Sequence, residues 1–360
     1  MGLTIGIDAR AAAEVKGGRG RVVRELLRAF CARGDDHRYL CYARSPWEEP
    51  LDERFVWKLI PSSDPLWHAR AARSAGRDCD VLLSTNSYLT VMLTRLPTVS
   101  IIYDLAAFDP RTSPHLQSAI VERLSLGGAV RRSRVLLCIS QATADALVAR
   151  YPAAAGRVTV APLAVAPVLA QPAAAEMADL PAPGFVLAVG TLEPRKNLPR
   201  LVEAYATLPD DVQARHPLVV VGAIGWRTSA TMTALESLGE RCRLLGHVSD
   251  GALAELYRRC AVFCYPSLAE GFGLPVLEAM AAGAAVLTSN VSSLPEVGGD
   301  AVQYADPESV ASIAAALAGL LASPERRAEL ATRAVARAAE FSWDRTAEIT
   351  LAALQRVARG

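Results

Sequence analysis

The feature that most constrains this chain is its alternation of short apolar runs with longer amphipathic stretches. Six runs, TIGID, YLCYA, FVWKLI, DVLLS, TVSIIY and RVLLCI, punctuate the first half, and five more, FVLAVG, PLVVVG, CRLLG, AVFCYP and AAVLTS, follow in the second. Runs of this length, separated by helical patterns, are the mark of parallel strands, because crossover helices cover both faces of such a sheet. The pattern predicts an α/β chain with two sheets, since it stops and restarts. The stop is Ala161 to Gly184, "APLAVAPVLAQPAAAEMADLPAPG", rich in Pro and Ala and without alternation. We expect a first parallel-sheet domain over 1–166, a linker over 167–183 and a second parallel-sheet domain over 184–341. The last stretch, 342–360, carries Trp343, Ile349, Leu351, Leu354 and Val357 at helical spacing, which predicts a helix without saying which domain it covers.

Composition then narrows the function classes. A chain of 360 residues is long enough for two cores, and 38 Lys plus Arg against 37 Asp plus Glu leave a net charge of +1. That balance offers no overall attraction to nucleic acid, and any anionic surface must be met locally. No apolar stretch reaches the roughly eighteen residues that a bilayer requires, and the start MGLTIGIDAR lacks the apolar core of a signal peptide. The expected location is cytoplasmic, with a peripheral contact at the inner face of the membrane left open. Seven cysteines lack metal-ligand spacing and read as reduced thiols, and Asp78-Cys79-Asp80 reads as a turn. No metal is expected.

The stretch "CYPSLAEGFGLPVLEAMAAG", Cys264 to Gly283, places Glu270 and Glu278 around a glycine turn that opens into a helix, with Pro275 suited to its first turn. Ligands of open α/β sheets bind at the carboxyl ends of strands, where glycine loops expose N–H groups and helix N-termini favour anions. Gly271 and Gly273 let the backbone come close to a ligand. In "VGTLEPRKNLPRLVEAY", Gly190 and Thr191 end a strand, and Arg195 and Lys196 precede a helix from about Leu198. Two such cations suit a diphosphate. By themselves they read as solvated loop charges, and it is the carboxylates at a later strand of the same sheet that favour a site. Glu278 can accept hydrogen bonds from two vicinal hydroxyls, as on a ribose, while Glu270 faces what lies beyond the phosphates. In the first half, Gly17, Gly18 and Gly20 precede a helix after an eight-residue loop, a poor dinucleotide fingerprint because the third glycine is missing. Arg21, Arg24 and Arg28 on one helical face, and Arg131, Arg132 and Arg134 after another helix, read as solvated charge or as a patch for a membrane surface.

Taken together, "GIDARAAAEVKGGRGRVVREL", "CISQATADAL", "AVGTLEPRKNLPRLVEAY", "LLGHVSDGALAELYRRC", "SLAEGFGLPVLEAMAAGAAVLTSNVSSLPEV" and "FSWDRTAEITLAAL" resemble the retaining glycosyltransferases of family four, over nearly the whole chain. The resemblance implies the GT-B fold: two Rossmann-like domains facing a cleft, with the last helix returning to the first. It implies a donor site in which Arg195 and Lys196 hold the diphosphate, Glu278 the ribose and Glu270 the transferred sugar. The amides of Phe272, Gly273 and Leu274 would lie near the sugar and distal phosphate, and His247, Val248 and Ser249 near the nucleobase. Gly18 and Gly20 would close on the diphosphate from the first domain. Where the family commonly has His-Asp after the fifth strand, this chain has Tyr103-Asp104. A Tyr hydroxyl can donate to a sugar but is a poor base at neutral pH, so Tyr103, Asp104 and Asp109 are the acceptor-side candidates. The implied reaction moves a hexose, with mannose from GDP-mannose as the expected donor and no cofactor, to a lipid-linked or oligosaccharide hydroxyl in surface polysaccharide or glycolipid synthesis. Two alternatives stay open: a non-catalytic nucleotide-sugar-binding partner subunit, kept alive by Tyr103, and a nicotinamide-dependent oxidoreductase, weakened by the missing glycine.

Overall fold

The computed structural model describes residues 2–15, 17–109, 116–170 and 180–359. The chain divides into two compact units: Met1–Phe108 with His115–Leu163 and Ser342–Gly360, and Ala164–Phe341 with Asp109–Pro114. Ala164 to Ala166, expected in the first domain, therefore group with the second. The middle of the expected linker, 171–179, lies outside the described residues, and its start is a short helix, Pro167–Ala170.

The first unit is built on seven strands: β1 (Thr4–Asp8), β2 (Arg38–Ala43), β3 (Phe55–Leu59), β4 (Val81–Ser84), β5 (Thr98–Ile102), β6 (Val135–Cys138) and β7 (Val158–Val160). They lie in the order β3-β2-β1-β4-β5-β6-β7, every pairing parallel. The central strands β4, β5 and β6 are buried at every residue, which is why they read as unbroken apolar runs. The last helix, Trp343–Arg359, buries Trp343, Leu351, Leu354 and Val357 against this unit, with Gln355 bonded to His37 at 2.9 Å; Ile349 is half-buried.

The second unit carries β8 (Val186–Val189), β9 (Leu218–Val221), β10 (Cys242–Gly246), β11 (Val262–Tyr265), β12 (Val286–Ser289) and β13 (Gln303–Ala305). Their order is β10-β9-β8-β11-β12-β13, again parallel. Its core joins Val186, Val220 and Val262 from the sheet to Leu201, Tyr205 and Leu317 from the covering helices. In both units the strand order reverses direction beside the first strand, at β1/β4 and at β8/β11. These are the topological switch points where an open sheet leaves a crevice at its carboxyl ends.

Three readings of the sequence need correction. β7 and β13 were not anticipated: each is a three-residue edge strand, too short to show a period. The eight-residue loop after β1 contains a helix, Arg10–Glu14, and Gly18 and Gly20 lie inside the next helix, Gly18–Arg33. A Cβ on Gly20 would sit 1.8 Å from the Val15 carbonyl oxygen, so glycine here is a requirement of close backbone packing. Finally, Arg24 and Arg28 are not a solvated face. Arg24 donates to the carbonyls of Ala12 and Val15, both at 2.9 Å, clamping the segment that follows β1, and Arg28 pairs with Glu25 on its own helix and with Glu49 after β2.

Candidate active site

At the β8/β11 switch point the structure gathers Arg195, Lys196 and Glu270. Gly190 and Thr191 leave β8, and a single turn of 3-10 helix, Pro194–Lys196, presents the two cations before the helix Leu198–Ala206 begins. The loop after β11 is stitched to that turn: Leu268 N–H donates to the Arg195 carbonyl at 2.9 Å, Arg195 Nη1 to the Ala269 carbonyl at 3.0 Å and Asn197 Nδ2 to the Pro266 carbonyl at 2.9 Å. Glu270 then points inward. One oxygen takes Arg195, and the other takes Lys196 Nζ at 2.7 Å and the Tyr265 hydroxyl at 2.8 Å. On its other side Arg195 pairs with Glu193 at 2.8 Å, whose second oxygen accepts from Trp226 Nε1 at 3.3 Å.

The charges expected to divide between phosphate and sugar thus hold one another. Burial alone pushes the Glu270 carboxyl up, but the Arg195 and Lys196 charges outweigh it and hold its pKa at about 2. Burial also pulls the Lys196 ammonium below the ordinary lysine range, against the attraction of Glu270. Tyr265, pushed well up by burial and by the Glu270 charge, stays protonated and donates.

The glycine turn is a second, adjoining part. Gly273 takes φ 104° as the cap of the helix Leu274–Ala281, a backbone state open mainly to glycine. Ser293 Oγ donates to the carbonyls of Glu270 and Phe272, both at 2.9 Å, and Ser292 Oγ accepts from the Glu270 N–H at 2.9 Å, so the turn is fixed from β12's loop. The Phe272 ring is buried against Phe341, and Gly271 is buried too. Glu278, on the helix, is 3 % exposed, and its Oε2 accepts from the Tyr257 hydroxyl at 3.0 Å. His247 is exposed and Val248 half-buried in the turn after β10, where Ser249 caps the helix Asp250–Arg259.

The β1/β4 switch point of the first unit is arranged differently. A cavity of about 450 Å³ is lined by Arg10, Arg19, His68, Asn86, Ser87, Tyr88, Leu89, Val121, Glu122 and Ser125. Arg10 donates to Ser87 Oγ at 3.1 Å and lies 3.9 Å from the buried Asp8 carboxylate. Arg19 donates to Asn86 Oδ1 at 3.0 Å and faces Glu122 at 3.8 Å. Burial raises the Asp8 pKa, against Arg10. His68, desolvated and near Arg10, is lowered to about 4 and stays neutral, with Nδ1 2.9 Å from Thr90 Oγ1. The expectation for Tyr103 changes. It is 6 % exposed, the Arg19 guanidinium lies 5.4 Å over its ring, and it does not line the cavity, because it continues the fully buried β5. Its hydroxyl has no hydrogen-bond partner among the described residues, nor does Asp8 Oδ1. Asp104 is half-buried, with Oδ1 accepting the Ala106 N–H at 2.9 Å in a tight turn; Asp109 is half-buried.

Residues 16–168 match the glycosyltransferase family 4 model and residues 178–337 the glycosyl transferases group 1 model. The O-antigen chain mannosyltransferase B of Escherichia coli is 34% identical over 298 residues, covering 79% of this chain and 77% of that one. The chain belongs to the family-four glycosyltransferases. A second relative, the serotype-specific mannosyltransferase WbdA of Escherichia coli, is 39% identical over 177 residues, 48% of this chain but only 22% of that protein. Among solved structures, sucrose-phosphate synthase from Thermosynechococcus elongatus superposes with a TM-score of 0.77 at 20% identity. WaaG, a glycosyltransferase involved in lipopolysaccharide biosynthesis, does so at 0.73 and 19%; both cover 98% of each chain. At such identities the likeness speaks for the GT-B fold.

For this glycosyltransferase, reading the sequence missed Glu193, Tyr265 and Ser293 in the second unit and Asp8, Arg10, Arg19 and Glu122 in the first. Asp8 and Tyr265 carried a usable signal, since each ends a buried strand at its carboxyl side. The others lie in loops and helices, and apart from Glu193 with Arg195 and Arg10 with Asp8 their partners are tens of residues away.

Proposed function

We propose that this glycosyltransferase transfers mannose, with retention, from GDP-mannose to a hydroxyl of a lipid-linked or oligosaccharide acceptor in surface polysaccharide synthesis. The observation that carries the reading is the cluster of Arg195, Lys196 and Glu270 at the β8/β11 switch point. The choice of mannose rests on the two Escherichia coli mannosyltransferases it is similar to. As the diphosphate enters, its oxygens take over Arg195 and Lys196, and the carboxylate of Glu270, released from them, turns to the sugar's hydroxyls. The N-terminus of the helix Leu274–Ala281 faces the phosphate with the Leu274 N–H and the positive end of its dipole, since Pro275 has no N–H and those of Val276 and Leu277 bond to the Gly273 carbonyl, and Glu278 receives the ribose hydroxyls in place of Tyr257. When the bond from C1 to the phosphate oxygen breaks, the two cations meet the developing charge, work of the kind that is worth several kcal/mol when preorganised. The departing oxygen accepts the acceptor's proton on the face where the new bond forms, which retains configuration and asks for no strong base at Tyr103. With that charge met by side chains, the proposal needs no metal ion, and turnover is expected to persist in EDTA. Calorimetric titration with GDP, UDP, ADP and NAD tests the donor. GDP is expected to bind, and Glu278→Ala or the pair Arg195→Ala and Lys196→Ala should weaken it about a hundredfold or more. Preference for NAD, or variants that bind like the parent, would overturn the assignment.

A further inference from the structure

Glu193 and Trp226 sit behind Arg195, and the transfer described above gives neither of them a task. The Arg195 guanidinium is held by two edges. Nη1 donates to the Ala269 carbonyl at 3.0 Å and to Glu270, while Nε and Nη2 share one oxygen of Glu193 at 3.0 and 2.8 Å. The other oxygen of Glu193 accepts from Trp226 Nε1 at 3.3 Å. That indole is delivered by a loop built tightly against the turn that carries Glu193. Leu192 N–H donates to the Ala223 carbonyl at 2.9 Å and Gly225 N–H to the Leu192 carbonyl at 3.1 Å, and a Cβ on Gly225 would sit 2.6 Å from that carbonyl oxygen. Arg227, in a left-handed backbone state uncommon for a residue with a side chain (φ 50°), lays its guanidinium 5.4 Å over the indole ring. Glu193 and Trp226 are both half-buried.

We propose that Glu193, locked by Trp226, is a positioning residue for the donor diphosphate, keeping the Arg195 guanidinium aimed once Glu270 has let go. The inference rests on the donor reading above, in which phosphate oxygens replace Glu270 on Arg195. In that exchange the Nη1 edge changes partner, and a long flexible side chain without a second anchor would have to be ordered again at each binding event. Glu193 holds the Nε and Nη2 edge from two residues away on the same turn. Trp226 in turn fixes the plane of the carboxylate, since an indole N–H can only donate. Charge alone predicts the reverse: a carboxylate near a diphosphate repels it, so its removal would tighten binding. The sign of the effect therefore separates positioning from charge.

The test is calorimetric titration of the full chain with GDP and with guanosine, which carries the base and ribose and no phosphate. Glu193→Ala is expected to weaken GDP about tenfold, the loss of a well-aimed bond between charged groups, and to leave guanosine unchanged. Glu193→Gln, whose amide oxygen still accepts from Arg195, and Trp226→Phe should each weaken GDP about threefold. Glu193→Ala combined with Trp226→Phe should lose no more than Glu193→Ala alone, because Trp226 acts through Glu193. Ile224→Ser, at a position 66% exposed on the same loop, should change nothing, and unchanged melting curves verify the fold of each variant. GDP binding that tightens or stays level in Glu193→Ala would overturn the proposal, as would an equal loss toward guanosine or a combined variant that multiplies the two single effects. If Arg195→Ala with Lys196→Ala loses GDP and Glu193→Ala does not, this inference falls and the donor reading stands; a parent that binds no nucleotide overturns both.

Discussion

The two switch points share a topology and differ in how their polar groups are satisfied. At β8/β11 the charges are matched: Arg195 and Lys196 face Glu193 and Glu270, with Tyr265 bridging. At β1/β4 the cavity is open, and two buried oxygens, on Asp8 beside it and on Tyr103 at the end of β5, have no hydrogen-bond partner among the described residues, although Arg10 lies 3.9 Å from the Asp8 carboxylate. A buried polar atom without a hydrogen-bond partner costs stability, and Asp8 and Tyr103 each lie at the carboxyl end of a strand. The second unit, by contrast, stores its binding charges as internal ion pairs that a ligand must replace. The difference is one of charge pairing and not of every polar atom, since Ser267 Oγ, buried just beyond β11, also has no hydrogen-bond partner among the described residues.

The sharpest way to break this contrast is to remove Glu270. Glu270→Ala leaves two buried cations facing each other, and a loss of about 3–5 kcal/mol is expected in urea unfolding of the second unit. An unchanged midpoint would mean the pairing is incidental. Next comes acid. The Glu270 pKa of about 2 lies below its ordinary 4.5, so its ionised form stabilises the fold fully above about pH 4.5, and that contribution fades as pH falls toward 2. It amounts to about 3 kcal/mol, and the stability gap between the parent and Glu270→Gln should shrink by that amount over this range, measured by denaturation at stepped pH. In the first unit, Gly20→Ala forces a Cβ against the Val15 carbonyl, and we expect a loss of about 1–3 kcal/mol in thermal unfolding, with GDP binding retained. The smallest effect is the most telling. Tyr103→Phe removes an unpartnered hydroxyl and should leave stability unchanged or raise it by about 1 kcal/mol, while turnover falls if that hydroxyl meets the acceptor. A clear loss of stability would show that the hydroxyl is satisfied within the fold.

Much of this architecture was legible beforehand. The strands that sequence reading found are those of four or more residues, and the two it missed, β7 and β13, are edge strands of three residues. The pairing of "EPRKN" with "EGFGLP" pointed to the right sheet, because both follow apolar runs at strand ends. The roles within the pairing were not legible. Nothing local says that Lys196 and Glu270, 74 residues apart, lie 2.7 Å from one another, or that Tyr103 falls beneath Arg19 rather than in the cavity wall.

The order of apolar runs and breaks by itself determined two parallel α/β units, the glycine turn before Leu274 and the placing of basic and acidic loops at strand ends. These follow from local rules: period, turn chemistry and the burial of both faces of a parallel sheet. Only the tertiary structure decided which charges neutralise each other, which polar atoms remain without partners and that the last helix covers the first sheet. Those outcomes depend on distances between loops far apart in the chain, where a few ångströms separate an ion pair from a ligand site.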